Sequence, residues 1–188
     1  DAMISKSREA QIGRGAMLQL SNAGAIVEDP MLTEYVTMLG SQLSSVANEG
    51  SQDFNFFIVK DTRINAFAMP GGFIGLNAGL ILASDNENEV AGVLAHEISH
   101  VTQRHIARAA YDSSRTSIVS MAAMLAALVL GAATDAGSDA TQGIVMGSQA
   151  LAAQRQINFT RSNEHEADRV CIELLSQAGF DPTAMSTF

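Results

Sequence analysis

Val90-Ala91-Gly92-Val93-Leu94-Ala95-His96-Glu97-Ile98-Ser99-His100 is the stretch on which the reading of this chain turns. Ahead of it, Ser84-Asp85-Asn86-Glu87 has the Ser-x-x-Glu spacing of a capping box. No helix breaker follows until well past Ala110, so one long helix is predicted from Ser84 onward. It is apolar on nearly all sides near its middle, which places it in the core. His and Glu are costly there unless they find partners. Four residues along a helix rotate by about 400°, so His96 and His100 project from one face within about 40° of each other. Two imidazoles so placed can take two corners of a zinc tetrahedron. Glu97, about 100° round from His96, then reaches a metal-bound water rather than the metal.

Two histidines leave a zinc ion short of a third protein ligand. His105, nine residues past His96 and about 180° round the same helix, is expected to point away from the site, as a surface histidine or one in the layer behind the ligands. The segment Ser162-Asn163-Glu164-His165-Glu166-Ala167-Asp168 offers more and is expected to open a helix that closes before Gly179. Ala167, Cys171, Leu174, Leu175 and Ala178 form its apolar stripe, and Glu164 and Asp168 lie at the N-terminal end of that stripe. A carboxylate on a buried face needs a cation, so Glu164 is the expected third ligand. Asp168, one turn on, can accept the hydrogen bond that a ligating histidine donates from its other nitrogen. Glu166 shares a face with Arg169 and Glu173 and reads as a solvated charge.

Upstream, Ser7 to Ala23 has roughly helical spacing. Asp29-Pro30 opens a second helix whose stripe is Leu32, Tyr35, Val36, Leu39, Leu43 and Val46. Phe54 to Val59 and Ile64 to Met69 are rich in aromatic, β-branched and alternating residues and predict two strands paired antiparallel. Pro70-Gly71-Gly72 is a tight turn, and Phe73 to Leu76 a third short strand. Asn65-Ala66-Phe67-Ala68-Met69 is the candidate substrate-binding edge, because small side chains on one face let another extended chain approach. Thr116 to Thr134 is a run of nineteen uncharged residues, followed after Asp135 to Asp139 by a second uncharged stretch to Gln154. A helical hairpin covering the cleft is expected there, and its alanine content weakens the case for a membrane span.

Composition narrows the class. With 188 residues, 47% hydrophobic and 16% charged, the chain can bury a sizeable core. A net charge of −9 argues against a nucleic-acid partner. The single cysteine, Cys171, excludes an internal disulfide framework or a thiolate zinc cluster. Asp1 is not an initiator methionine, so the sequence reads as a mature or trimmed chain from which any export signal has gone. Gly179-Phe180-Asp181-Pro182 reads as a helix stop and a new helix start close to Phe188, so residues 1–180 are read as the catalytic domain and 181–188 as the beginning of a C-terminal region.

Asn65-Ala66-Phe67-Ala68, Gly71-Gly72, Ala95 to Ala109 (AHEISHVTQRHIARA), Asn163 to Arg169 (NEHEADR) and Gly179 to Pro182 together resemble the zinc metallopeptidase family that includes HtpX and the CAAX prenyl protease. The likeness covers nearly the whole chain and is nearest the BepA-like branch. Cys171 departs from it, where glycine is expected. The resemblance implies His96, His100 and Glu164 as ligands of one zinc ion and Glu97 as catalytic base, as the spacing already suggested. It further implies a soluble periplasmic protein, with tetratricopeptide repeats after the catalytic domain. Its substrates would be misfolded or stalled envelope proteins, and the outer-membrane assembly machinery a partner. The expected fold is α+β, mostly helical and zincin-like, with a small sheet beside the long metal-binding helix. The expected activity is that of a zinc metalloendopeptidase. The rival is a non-proteolytic chaperone or assembly factor that only holds zinc, and the presence of Glu97 speaks against it. A donor for the oxyanion is not singled out by sequence: Arg161, Tyr111, His105 and His165 are all candidates.

Overall fold

The computed structural model describes residues 5–47, 52–112 and 149–187. Helix α1, Lys6–Asn22, is capped by Ser5, whose hydroxyl accepts from the Arg8 amide at 3.2 Å. Helix α2, Pro30–Val46, begins as the Asp-Pro pair predicts: Asp29 accepts from the Met31 and Leu32 amides at 2.9 and 3.2 Å. It buries Val36, Leu39 and Leu43. A methyl group on Gly40 would lie 2.4 Å from the Phe56 ring, so glycine lets α2 sit directly on the sheet.

Strands β1, Asn55–Val59, β2, Ala66–Met69, and β3, Phe73–Asn77, match the predicted segments, but their pairing differs from expectation. The order is β1-β3-β2, with β1 parallel to β3 and β2 antiparallel to β3. The Pro70-Gly71-Gly72 turn, with φ of +83° and +82° at its glycines, folds β3 back along β2 and places it centrally. The outer side of β1 is taken by Ala25 to Val27, where the Val27 amide donates to Ile58 O at 2.9 Å. Alternation divides the sheet between two cores. Phe56, Ile58, Ile74 and Leu76 face α2 and the helices over residues 87–102 and 149–178, while Phe57, Val59, Phe67, Met69 and Phe73 pack with Ala16 and Leu20 of α1.

A short helix, α3 (Ala78–Ala83), leads into α4 (Glu87–Thr102). The cap falls two residues later than predicted: Asn86 accepts from the Asn88 amide, and Glu89 reaches back to the Asp85 amide at 2.8 Å. Ser84 instead closes α3, donating to Leu80 O at 2.9 Å. Nor does the helix run on past Ala110. It breaks after Thr102, Arg104 takes a φ of +54°, and α5 spans His105–Asp112 in a new direction. Arg104 is held there by Glu9 of α1 at 2.6 Å.

Helix α6, Gln149–Ala178, is much longer than its predicted start at Ser162. It buries Ala167, Cys171, Leu174 and Leu175 against α4, and the Cys171 thiol donates to Gly92 O at 3.4 Å. Gly179, at φ +85°, ends it, and a 3₁₀ turn over Pro182–Thr187 follows the Asp181 cap. Among the described residues, no helix is long and apolar enough to cross a membrane. The Thr116 to Thr134 run and most of the hairpin expected around it lie outside the described residues. The fold is mostly helical α+β, as the sequence implied.

Candidate metal centre

Helix α4 presents His96 and His100 one turn apart toward α6, which brings Glu164 to them. The two Nε2 atoms lie 3.0 Å apart, Glu164 Oε2 is 3.1 Å from His96 Nε2, and Glu164 Oε1 is 3.4 Å from His100 Nε2. One donor atom from each of the three residues lies within 4.8 Å of the others. Behind the cluster, Asp168 Oδ1 stands 3.2 Å from His96 Nδ1. Glu164 and Asp168 are 45% and 50% exposed in their side chains, so they are half-open to solvent rather than on the buried face expected of them. Burial and the neighbouring His96 push the His100 imidazolium down to about 4, which leaves its lone pair free at neutral pH.

Glu97, one residue along α4, turns toward the sheet. Burial and the nearby Glu164 carboxylate push its carboxyl up to about 7, against a hydrogen bond from the backbone of Ala68 that favours the charged form. The register of β2 explains that bond. Asn77 donates to Asn65 O, so Asn65, Phe67 and Met69 use their backbone groups on β3. Those of Ala66 and Ala68 therefore face the open edge of the sheet, on the side of the cluster. Their side chains are half-buried, while Phe67 and Met69 are in the core.

His105 does not point away. The bend at Arg104 brings it back, buried, with Nδ1 2.9 Å from Nδ1 of His100. Its Nε2 lies 3.3 Å from Glu166 Oε2, which also accepts from Arg108 Nη1 at 2.8 Å. Glu166 is thus a paired, half-buried carboxylate rather than a solvated charge, and Arg108 holds it below the usual carboxylate range. Burial holds His105 below the ordinary histidine value. Helical periodicity missed this group because Arg104 is not glycine or asparagine, the usual markers of a left-handed residue. Of the candidate oxyanion donors, His165 and Arg161 are exposed side chains of α6, and the Tyr111 side chain lies outside the described residues.

The pattern of peptidase family M48 matches residues 30–188. The chain belongs to peptidase family M48. It is 42% identical over 186 residues to the beta-barrel assembly-enhancing protease of Escherichia coli (strain K12), covering 98% of this chain and 37% of that protein. It is 40% identical over 188 residues to the protein of the same name from Yersinia pestis, covering 100% and 38%. Against the mitochondrial metalloendopeptidase OMA1 of Schizosaccharomyces pombe it is 30% identical over 156 residues, covering 82% and 42%. The chain therefore spans less than two-fifths of the length of the two bacterial relatives.

Membership of M48 implies a metal ion, and the donor geometry fits one. Ligands about 2.0–2.1 Å from a tetrahedral ion stand about 3.3 Å from each other. The three closest separations in this M48 cluster, 3.0, 3.1 and 3.4 Å, fall around that value.

Proposed function

We propose that this chain is the catalytic domain of a zinc-dependent metalloendopeptidase, with His96, His100 and Glu164 as the ligands of one zinc ion and Glu97 as general base. The observation that carries this reading is the spacing of the three donor sets, with the buried Glu97 carboxyl, pushed up to about 7, beside them. Zinc, when bound, supplies a Lewis acid for the scissile carbonyl and acidifies the attacking water. Glu97 takes the proton of that water and returns it to the leaving amine, a task suited to a group titrating near the working pH. Asp168 holds the His96 ring by its far nitrogen. The open-edge backbone groups of Ala66 and the carbonyl of Ala68 receive the substrate as an added strand, while Asn65 and Phe67 hold β2 in register on β3.

A site that grips backbone suits unfolded chains, and the substrates proposed are misfolded or stalled envelope proteins in the periplasm. The name of the bacterial relatives, beta-barrel assembly-enhancing protease, supports a link to outer-membrane assembly. Residues 1–180 form the catalytic domain in this reading, and 181–188 begin a region that tetratricopeptide repeats would continue. The test is digestion of unfolded casein by purified, zinc-loaded protein. Cleavage should stop with chelator and return with added zinc. Zinc-loaded protein that binds casein without cutting it would favour the zinc-holding chaperone instead.

A further inference from the structure

Two ligating histidines stand on one helix, yet they are backed differently. His96 has a carboxylate, Asp168, at 3.2 Å from its Nδ1. His100 has another imidazole there, that of His105 at 2.9 Å, with Glu166 behind it and Arg108 behind Glu166. We propose that His105, held by Glu166 and Arg108, is a positioning residue that fixes the ring orientation and tautomer of His100, and through them the zinc affinity of the centre.

The proton arrangement along this row is determined once His100 offers Nε2 to the metal, so the inference rests on the zinc reading above. A neutral imidazole that gives a lone pair at Nε2 carries its proton on Nδ1. That N–H can only donate, so His105 must accept with a bare Nδ1. Its own proton then sits on Nε2 and donates to Glu166 Oε2, 3.3 Å away. Glu166, a carboxylate that also accepts from Arg108, can only accept. Each group has one role, and reversing any of them would take the lone pair from the metal side of His100. His105 is 4% exposed, which leaves little access for water to substitute for either contact.

The backbone is arranged to the same end. A straight continuation of α4 would turn His105 away from His100. The left-handed Arg104, tied to Glu9 at 2.6 Å, redirects the chain so that the first residue of α5 faces the last ligand of α4. The two glutamates of α6, Glu164 and Glu166, point in different directions and still serve one centre. Glu164 meets the ligands on α4, and Glu166 meets His105 and Arg108 on α5.

The test compares zinc affinity by chelator competition and the visible spectrum after cobalt substitution in the full chain and its variants. His105→Ala and His105→Gln should bind zinc 10- to 100-fold more weakly, as expected when the outer partner of a ligating histidine is lost, with an altered cobalt spectrum. His105→Asn should recover most of the loss, because its Oδ1 falls where Nδ1 stood, whereas Gln places its polar atoms farther out. Glu166→Ala should weaken binding in the same direction by a smaller factor. Wild-type affinity and spectrum in His105→Ala would overturn the inference. So would His105→Asn binding as weakly as His105→Ala while melting, metal-free, like the parent. If His105→Ala does not fold, an unchanged affinity in Glu166→Ala overturns it equally. Parent protein that binds no zinc would overturn the zinc reading itself, and this inference with it.

Discussion

Glu97→Gln keeps the volume and most of the hydrogen-bonding capacity of the side chain but cannot take a proton at neutral pH. Turnover on unfolded casein should fall by about a hundred- to ten-thousand-fold while zinc content stays that of the parent. Substantial turnover by the metal-loaded variant would remove Glu97 from the mechanism. The placement of His96 and His100 on one face, with Glu97 beside them, was legible in sequence because it depends only on the 3.6-residue period of one helix. Glu164 was legible for a related reason, since it continues the Ala167 and Cys171 stripe, although its half-exposed carboxylate weakens the burial argument that selected it. His105 and Glu166 were misread because their positions depend on Arg104 at φ +54° and on the approach of α5 to α6. Neither is a property of any single helix.

At the level of elements, β2 and the loop before it make separable predictions. Ala66 keeps its amide on the open edge, so Ala66→Pro removes no sheet hydrogen bond. Cleavage of unfolded protein should fall through a raised KM, with zinc content and thermal midpoint close to the parent. Unchanged kinetics would show that substrate does not pair there. The loop itself is braced by Asp61, which accepts from the Arg63 amide and guanidinium and is buried. Those bonds hold its carboxyl below the usual range. A depressed carboxylate contributes stability above its unfolded pKa and loses it as pH falls through the folded value. Asp61→Asn should therefore melt earlier than the parent at neutral pH, and the gap should close once pH drops below the ordinary carboxylate range. A gap that persists at acid pH would mean that shape rather than charge is lost. The strands themselves were visible in the sequence as aromatic and alternating runs. Their order was not, because the parallel β1–β3 pair is fixed by helices on both faces and by the glycine turn that centres β3.

Across the whole molecule, the proposed metal ligands join α4 to α6, two elements separated by a long stretch of sequence. An ion that binds only the folded arrangement stabilises it by mass action, by about 2.7 kcal/mol at a free concentration one hundred times its dissociation constant. Chelation should accordingly lower the thermal midpoint of the parent, and added zinc should restore it. A midpoint indifferent to both would argue against a tie between the helices. The ligand set is the central claim, and zinc content after dialysis against a chelating buffer tests it most directly. The parent should keep about one zinc per chain, and His165→Ala should keep it too, while His96→Ala, His100→Ala and Glu164→Ala should lose it. Zinc retained by Glu164→Ala and lost by His165→Ala would contradict the account and leave a centre of three histidines.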